Sequence, residues 1–194
     1  MPHPTVTRSL MLAVALAAST GTAAAAQDGA GVPNRDAALD IRKQFMTDLD
    51  TLQSKFLALA EAIPAEKYAW RPGAGVRSIG EAFMHVASEF YVFTPMAYGA
   101  TSSPVIPRER GAFEKFEKAS TKADVQKHLK ESFSYMRGVV SAIPPDSLAA
   151  QRKLFGGDRT IVETSFIMSG DLHEHLGQLI AYARANNVKP PWTK

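Results

Sequence analysis

Beyond His3 the 194-residue chain carries four histidines, His85, His128, His173 and His175, and no cysteine. Any metal site must therefore be built from imidazole nitrogen and carboxylate oxygen, both of which donate to Zn²⁺, Fe²⁺ or Ni²⁺. Asp171 and His175 are four residues apart, which on a helix puts them on one face, about one turn from each other. His85 has Glu81 and Glu89 one turn on either side. A histidine on one helix facing an Asp/His pair on another is how helical bundles build divalent-metal sites. His85, Asp171 and His175 are thus the candidate ligands, a three-ligand set that leaves positions open for water. The spacing alone does not separate such a site from a solvated helix face, where polar i, i+4 pairs are common.

The neighbouring polar residues have plainer readings. His173 lies two residues from His175, and at about 100° per residue the two side chains leave a regular helix on nearly opposite sides. It is expected to be a packing or surface histidine. His128, between Lys127 and Leu129 and followed by Lys130, is expected on a solvated face. Glu81 is explained by a helix cap, and Glu89 reads as an ordinary exposed glutamate. Gln178 and Tyr182 continue the His175 face at later turns, where they are candidates to hydrogen-bond a small ligand or a metal-bound water. No residue is singled out as catalytic.

These residues need rigid elements to hold them. From Asp36 to Ile63 large apolar residues recur mostly three or four apart, predicting an amphipathic helix stopped by Pro64. Residues 65–77, with Trp70, Pro72, Gly73 and Gly75, read as a loop pinned by the Trp70 ring. Ser78-Ile79-Gly80-Glu81 is a capping box, and the helix it opens carries Phe83, Val86, Phe90 and Phe93 until Pro95 kinks or ends it. Residues 99–119 form a mostly polar connection, long enough to cross a bundle. A third helix begins near Thr121 and ends at Pro144-Pro145.

Its end repeats the first: Ala142-Ile143-Pro144 matches Ala62-Ile63-Pro64, and each stop is followed by a connector and a capping box, the second being Thr160-Ile161-Val162-Glu163. The fourth helix is predicted from Ile161 to about Ala185, with Asn186-Asn187 as C-caps and Pro190-Pro191 barring continuation. Four long helices and no clear strand run predict an all-α, four-helix bundle over residues 36–192.

The first 26 residues differ from the rest. Arg8 is their only charge, and the apolar run from Leu10 to Ala18 falls short of the roughly 20 residues that span a bilayer. With Ala24-Ala25-Ala26 before Gln27, this reads as a cleavable signal peptide, cut after Ala26. The expectation is an exported, periplasmic protein with a disordered mature N-terminus over 27–35. Without Arg8, 21 of the 22 basic residues face 19 acidic ones, scattered and without a basic run. That argues against a nucleic-acid partner. No later apolar run reaches membrane-spanning length.

Together, Ser78-Ile79-Gly80-Glu81 with His85-Val86-Ala87, Trp70-Arg71-Pro72 before them, and the run Asp171 to Arg184 with its His-x-Gly-Gln and Tyr-x-Arg resemble the DinB family. The likeness spans residues 36–192. It implies a metal-dependent helical bundle, with the first ligand at His85 and the last at His175. The family's middle ligand, usually a histidine, falls on Asp171, a departure that exchanges a neutral donor for an anionic one and alters metal preference. Characterised relatives include transferases and isomerases that use low-molecular-weight thiols, and such bundles often pair as homodimers.

The reading that results is an exported DinB-like protein binding Zn, Ni or Fe, acting as a metal-dependent hydrolase or thiol-type transferase. Its alternative is a non-catalytic bundle, a binding or stress-related envelope protein with a degenerate metal site. If the leader is cut as expected, N-terminal sequencing of the envelope-localised protein will begin at or within a few residues of Gln27; an intact Met1 there would remove the signal-peptide reading.

Overall fold

The computed structural model describes residues 34–107, 109–154 and 156–193. The expected leader over 1–26, its cleavage point and all but the last two residues of the 27–35 segment lie outside the described residues. Among those described, the chain forms α1 (Arg35–Ala62), α2 (Ile79–Tyr98), α3 (Ala112–Lys118), α4 (Lys122–Ala142), a hairpin of β1 (Gln151–Leu154) and β2 (Gly157–Thr160), and α5 (Ile161–Ala185).

The long helices start and stop where local chemistry dictates. Asn34 caps α1 by accepting from the Ala37 amide at 2.9 Å. Both capping boxes form: Ser78 and Thr160 accept from the amides of Glu81 and Glu163, whose carboxylates return to the cap amides at 2.7 Å. Each satisfies two donors that a bare helix end leaves unpaired. Thr121 caps α4. The two Ile-Pro stops behave alike, each leading into a single 3-10 turn, Ala65–Lys67 and Pro145–Ser147, that buries the next side chain, Tyr68 or Leu148. Pro95 does not end α2, which continues to Tyr98 and closes on Gly99 in the left-handed region, φ 70°.

Two elements depart from the simple four-helix expectation. The 99–119 connection contains a fifth, short helix, α3, and the connector before α5 folds as an antiparallel hairpin with Lys153 opposite Asp158. The hairpin was hard to foresee because its strands are four residues each and half charged, with Leu154 their one buried apolar side chain. The diagonal crossings are also not made by 99–119. Among the long helices, both α1 and α2 pack on α4 and α5, so α1 stands across the core from α2 and α4 across from α5. The two repeated Ile-Pro connectors make those crossings.

Aromatic rings fill the centre: Phe56 of α1 meets Phe83 of α2 at 6.5 Å and Phe133 of α4 at 5.8 Å, and Phe90 stands edge-on to Phe133 at 4.8 Å. All four are buried. At the start of α2 the chain passes so close that a Cβ on Gly80 would lie 2.5 Å from the Ser120 carbonyl oxygen. Only hydrogen fits there.

Ser78→Ala or Thr160→Ala is expected to cost about 0.5–2 kcal/mol as a lost N-cap. Gly80→Ala is expected to cost about 1–3 kcal/mol through overpacking against backbone that cannot rotate away. Denaturant unfolding measures all three, and a Gly80→Ala protein as stable as the parent would show that the Ser120 segment yields.

Candidate metal centre

The two capping boxes fix the phase of α2 and α5, and with it the residues that meet where these helices pack. His85 and Glu89 face inward from α2; Asp171 and His175 come from α5. The His85 and His175 rings are 4.9 Å apart and nearly perpendicular, at 83°. Between them lies the Glu89 carboxylate. Its Oε1 is 3.1 Å from His85 Nε2, and its Oε2 is 3.4 Å from His175 Nε2. One donor atom from each of the three residues falls within 4.8 Å of the others.

This donor set suits a small divalent cation. Ligands at about 2.0–2.2 Å around a tetrahedral ion lie about 3.3–3.6 Å from one another, close to the separations present. Glu89 is only 8% exposed, yet its Oε2 has no hydrogen-bond donor among the described residues. A buried carboxylate oxygen left without a donor is costly unless a charge compensates it. A cation between the two Nε2 atoms would do so.

His85 and His175 are thus brought together, while Asp171 stands at the margin, its Oδ1 3.7 Å from His175 Nε2. Glu89, taken from the sequence for an exposed glutamate, is instead buried at the centre. The signal that was available is its position one turn beyond His85, on the face the capping box turns inward. Beside the group a cavity of about 200 Å³ is lined by Glu89, Phe93, Ile167, Met168 and Asp171, a small, mostly apolar recess with two carboxylates in its wall.

The electrostatics follow from four acidic or basic groups sharing little water. Burial opposes charge on His85, but hydrogen bonds to Glu117 and Glu89 outweigh it and raise its pKa to about 9. His175 also has burial against it, yet is raised by Glu89 and Asp171. Burial would push Glu89 up, but the two imidazoles hold it down at about 2. Asp171 moves the other way, to about 6, because burial and the adjacent Glu89 charge both resist its ionisation. Two neighbouring carboxylates with separated affinities for protons make one a standing anion and the other a proton acceptor near neutrality.

The remaining candidates lie elsewhere. His173 points to α1, where Nε2 is 3.0 Å from Asp48 Oδ1 and the side chain is half exposed. Asp48 also accepts from Ser169 at 2.5 Å. His128 is not on a solvated face as expected: it packs against Phe116 and Tyr91, ring centroids 4.7 and 6.2 Å away, and burial lowers its pKa. The lysines near it in sequence, Lys127 and Lys130, are exposed. Gln178 donates to the Tyr182 hydroxyl at 3.0 Å, and Tyr182 is buried edge-on to Trp70 at 5.6 Å. Trp70 thereby pins the 65–77 loop to α5.

Comparison with known proteins places this arrangement. The crystal structure of a DinB-like protein from Bacillus subtilis superposes with a TM-score of 0.58 at 18% identity, over 74% of this chain and 92% of that one. The crystal structure of a DinB-like protein from Bacillus cereus gives 0.60 at 10% identity, over 78% and 97%. Identities this low speak for the fold alone. No curated protein matches the sequence. The family model for the DinB superfamily matches residues 48–179, a span that runs through α2 and α5 and includes His85, Glu89, Asp171 and His175. This chain belongs to the DinB superfamily.

Proposed function

We propose that the protein is an exported, metal-binding member of the DinB superfamily whose divalent cation is held by His85, His175 and the Glu89 carboxylate, with Asp171 as a fourth donor or the proton acceptor beside it. The observation that carries this reading is the Glu89 carboxylate, buried between two imidazole nitrogens with one oxygen, Oε2, that makes no hydrogen bond among the described residues. Two imidazoles with one or two carboxylates favour Zn²⁺, Fe²⁺ or Ni²⁺ over hard cations that prefer oxygen alone. Such an ion would supply Lewis acidity, lowering the pKa of a bound water or thiol. That chemistry suits a hydrolase or a thiol-type transferase. Asp171 is placed to take up the proton released, and the recess of Phe93, Ile167 and Met168 to receive a compact apolar group. Gln178 and Tyr182 lie further along α5 and are proposed only as outer contacts of a ligand. Export rests on the leader-like first 26 residues.

The competing reading is a non-catalytic bundle in which His85, Glu89 and His175 are satisfied by one another's charge. Elemental analysis of untagged protein from the envelope separates the two. Stoichiometric metal is expected, and its absence after reconstitution with zinc would leave the non-catalytic reading. His85→Ala, His175→Ala and Glu89→Gln are each expected to abolish stoichiometric zinc, whereas His173→Ala, on the opposite side of α5, should retain it. Asp171→His, which supplies the superfamily's usual imidazole, should keep or tighten zinc binding.

Protons report on the same site. With the His85 pKa raised to about 9, zinc uptake at pH 7 must displace its proton. Calorimetry in two buffers of different ionisation enthalpy should show about one or more protons released per ion, with affinity rising from pH 6 to 9. In the metal-free chain, stability contributed by His85 is full below its unfolded value of about 6.5 and is lost as pH rises through about 9. Alkaline destabilisation of the metal-free protein, relieved by zinc, is the expected pattern.

A further inference from the structure

We propose that Glu117 is a positioning residue of the metal centre, fixing the ring and the tautomer of His85 from outside the two helices that supply the ligands. This rests on the metal reading above. Glu117 lies on α3, in the connection that packs against α2, 32 positions along the chain from His85. Its Oε1 is 2.6 Å from His85 Nδ1. A carboxylate can only accept at neutral pH, so Glu117 keeps the hydrogen on Nδ1, and the proton that a metal would displace is the one on Nε2, which faces Glu89 at 3.1 Å. This is the carboxylate–imidazole–metal arrangement by which a remote acid orients a ligand and raises its basicity.

The Glu117 carboxylate is itself held in place. It is 7% exposed, and Arg77 donates to it twice, Nε to Oε2 at 2.9 Å and Nη2 to Oε1 at 3.3 Å. Arg77 immediately precedes the Ser78 cap, so the same turn that sets the phase of α2 also anchors the acid that orients His85. Phe113, one turn before Glu117, closes the remaining side of the imidazole, edge-on at 84° and 5.8 Å. Four contacts, from Glu117, Phe113, Glu89 and His175, therefore leave the His85 ring one orientation.

An arrangement that only fastened α3 to the bundle would affect stability and leave metal affinity unchanged. The test measures both for Glu117→Ala and Glu117→Gln, using zinc ion alone in competition with a chromogenic chelator, beside thermal melting. Glu117→Ala should weaken zinc binding about 10- to 100-fold, the range typical of lost outer partners of metal-bound histidines. Glu117→Gln, whose amide oxygen still accepts from Nδ1–H, should recover part of that loss. Long-range ¹H–¹⁵N spectra of the zinc-loaded parent should show His85 protonated at Nδ1 and bound through Nε2.

The inference is overturned if Glu117→Ala binds zinc within about threefold of the parent while melting earlier. It is equally overturned if Glu117→Gln binds no better than Glu117→Ala, or if the spectra place the metal on Nδ1. A parent protein that binds no zinc at all sinks the metal reading itself, and this inference with it. Tight binding unaffected at Glu117 sinks only the latter.

Discussion

The burial of one carboxylate organises the polar half of this bundle. Glu89 sits inside the α2–α5 packing at 8% exposure, and an isolated ionised carboxyl there would cost several kcal/mol. Every polar neighbour is arranged around that cost. The two imidazoles lie on either side of it, Asp171 gives up some of its acidity beside it, and Glu117 and Arg77 hold His85 at the required angle. The apolar half of the bundle, centred on Phe56, Phe83 and Phe133, supplies the rigidity that keeps these groups at fixed separations.

A division of labour between local and remote chemistry explains what could be read in the sequence. The helix ends set by Ser78, Thr121, Thr160 and the Ile-Pro stops were legible to within a residue or two because these act on their own turns and need no distant partner, whereas α2 runs past Pro95 to Tyr98. The opposite faces of His173 and His175 were legible for the same reason, since helical phase is a local property. What the sequence concealed depends on remote partners. Glu89 looks like any helix glutamate until His175, 86 positions on, is brought beside it, and Glu117 sits in a segment whose composition reads as plain connection. His128 misled because its lysine neighbours in sequence are exposed while its own ring packs against Tyr91 and Phe116, which come from other elements.

The ligand set also shows how a family pattern and a particular chain diverge. Where relatives of this superfamily are expected to place a histidine, Asp171 stands, and the neighbouring Glu89 charge makes a second anion at that spot harder to sustain, as its raised proton affinity records. A cation is the simplest means of relieving two carboxylates held this close. Asp171 does not empty the site of donors; it gives the candidate centre more negative charge and fewer imidazoles, a set suited to ions that tolerate oxygen.

The two capping boxes give α2 and α5 a common starting point. Counted from Ser78 and from Thr160, Glu89 and Asp171 occupy the same eleventh place on their helices, so the facing carboxylates are each other's counterparts in two halves built on one plan. The histidines break that correspondence. His85 answers to Ile167 and His175 to Phe93, and both counterparts line the apolar recess beside the carboxylates. Each carboxylate therefore has a nitrogen one turn to one side on its own helix and hydrocarbon one turn to the other, so that donors and apolar walls stand on opposite flanks of the pair.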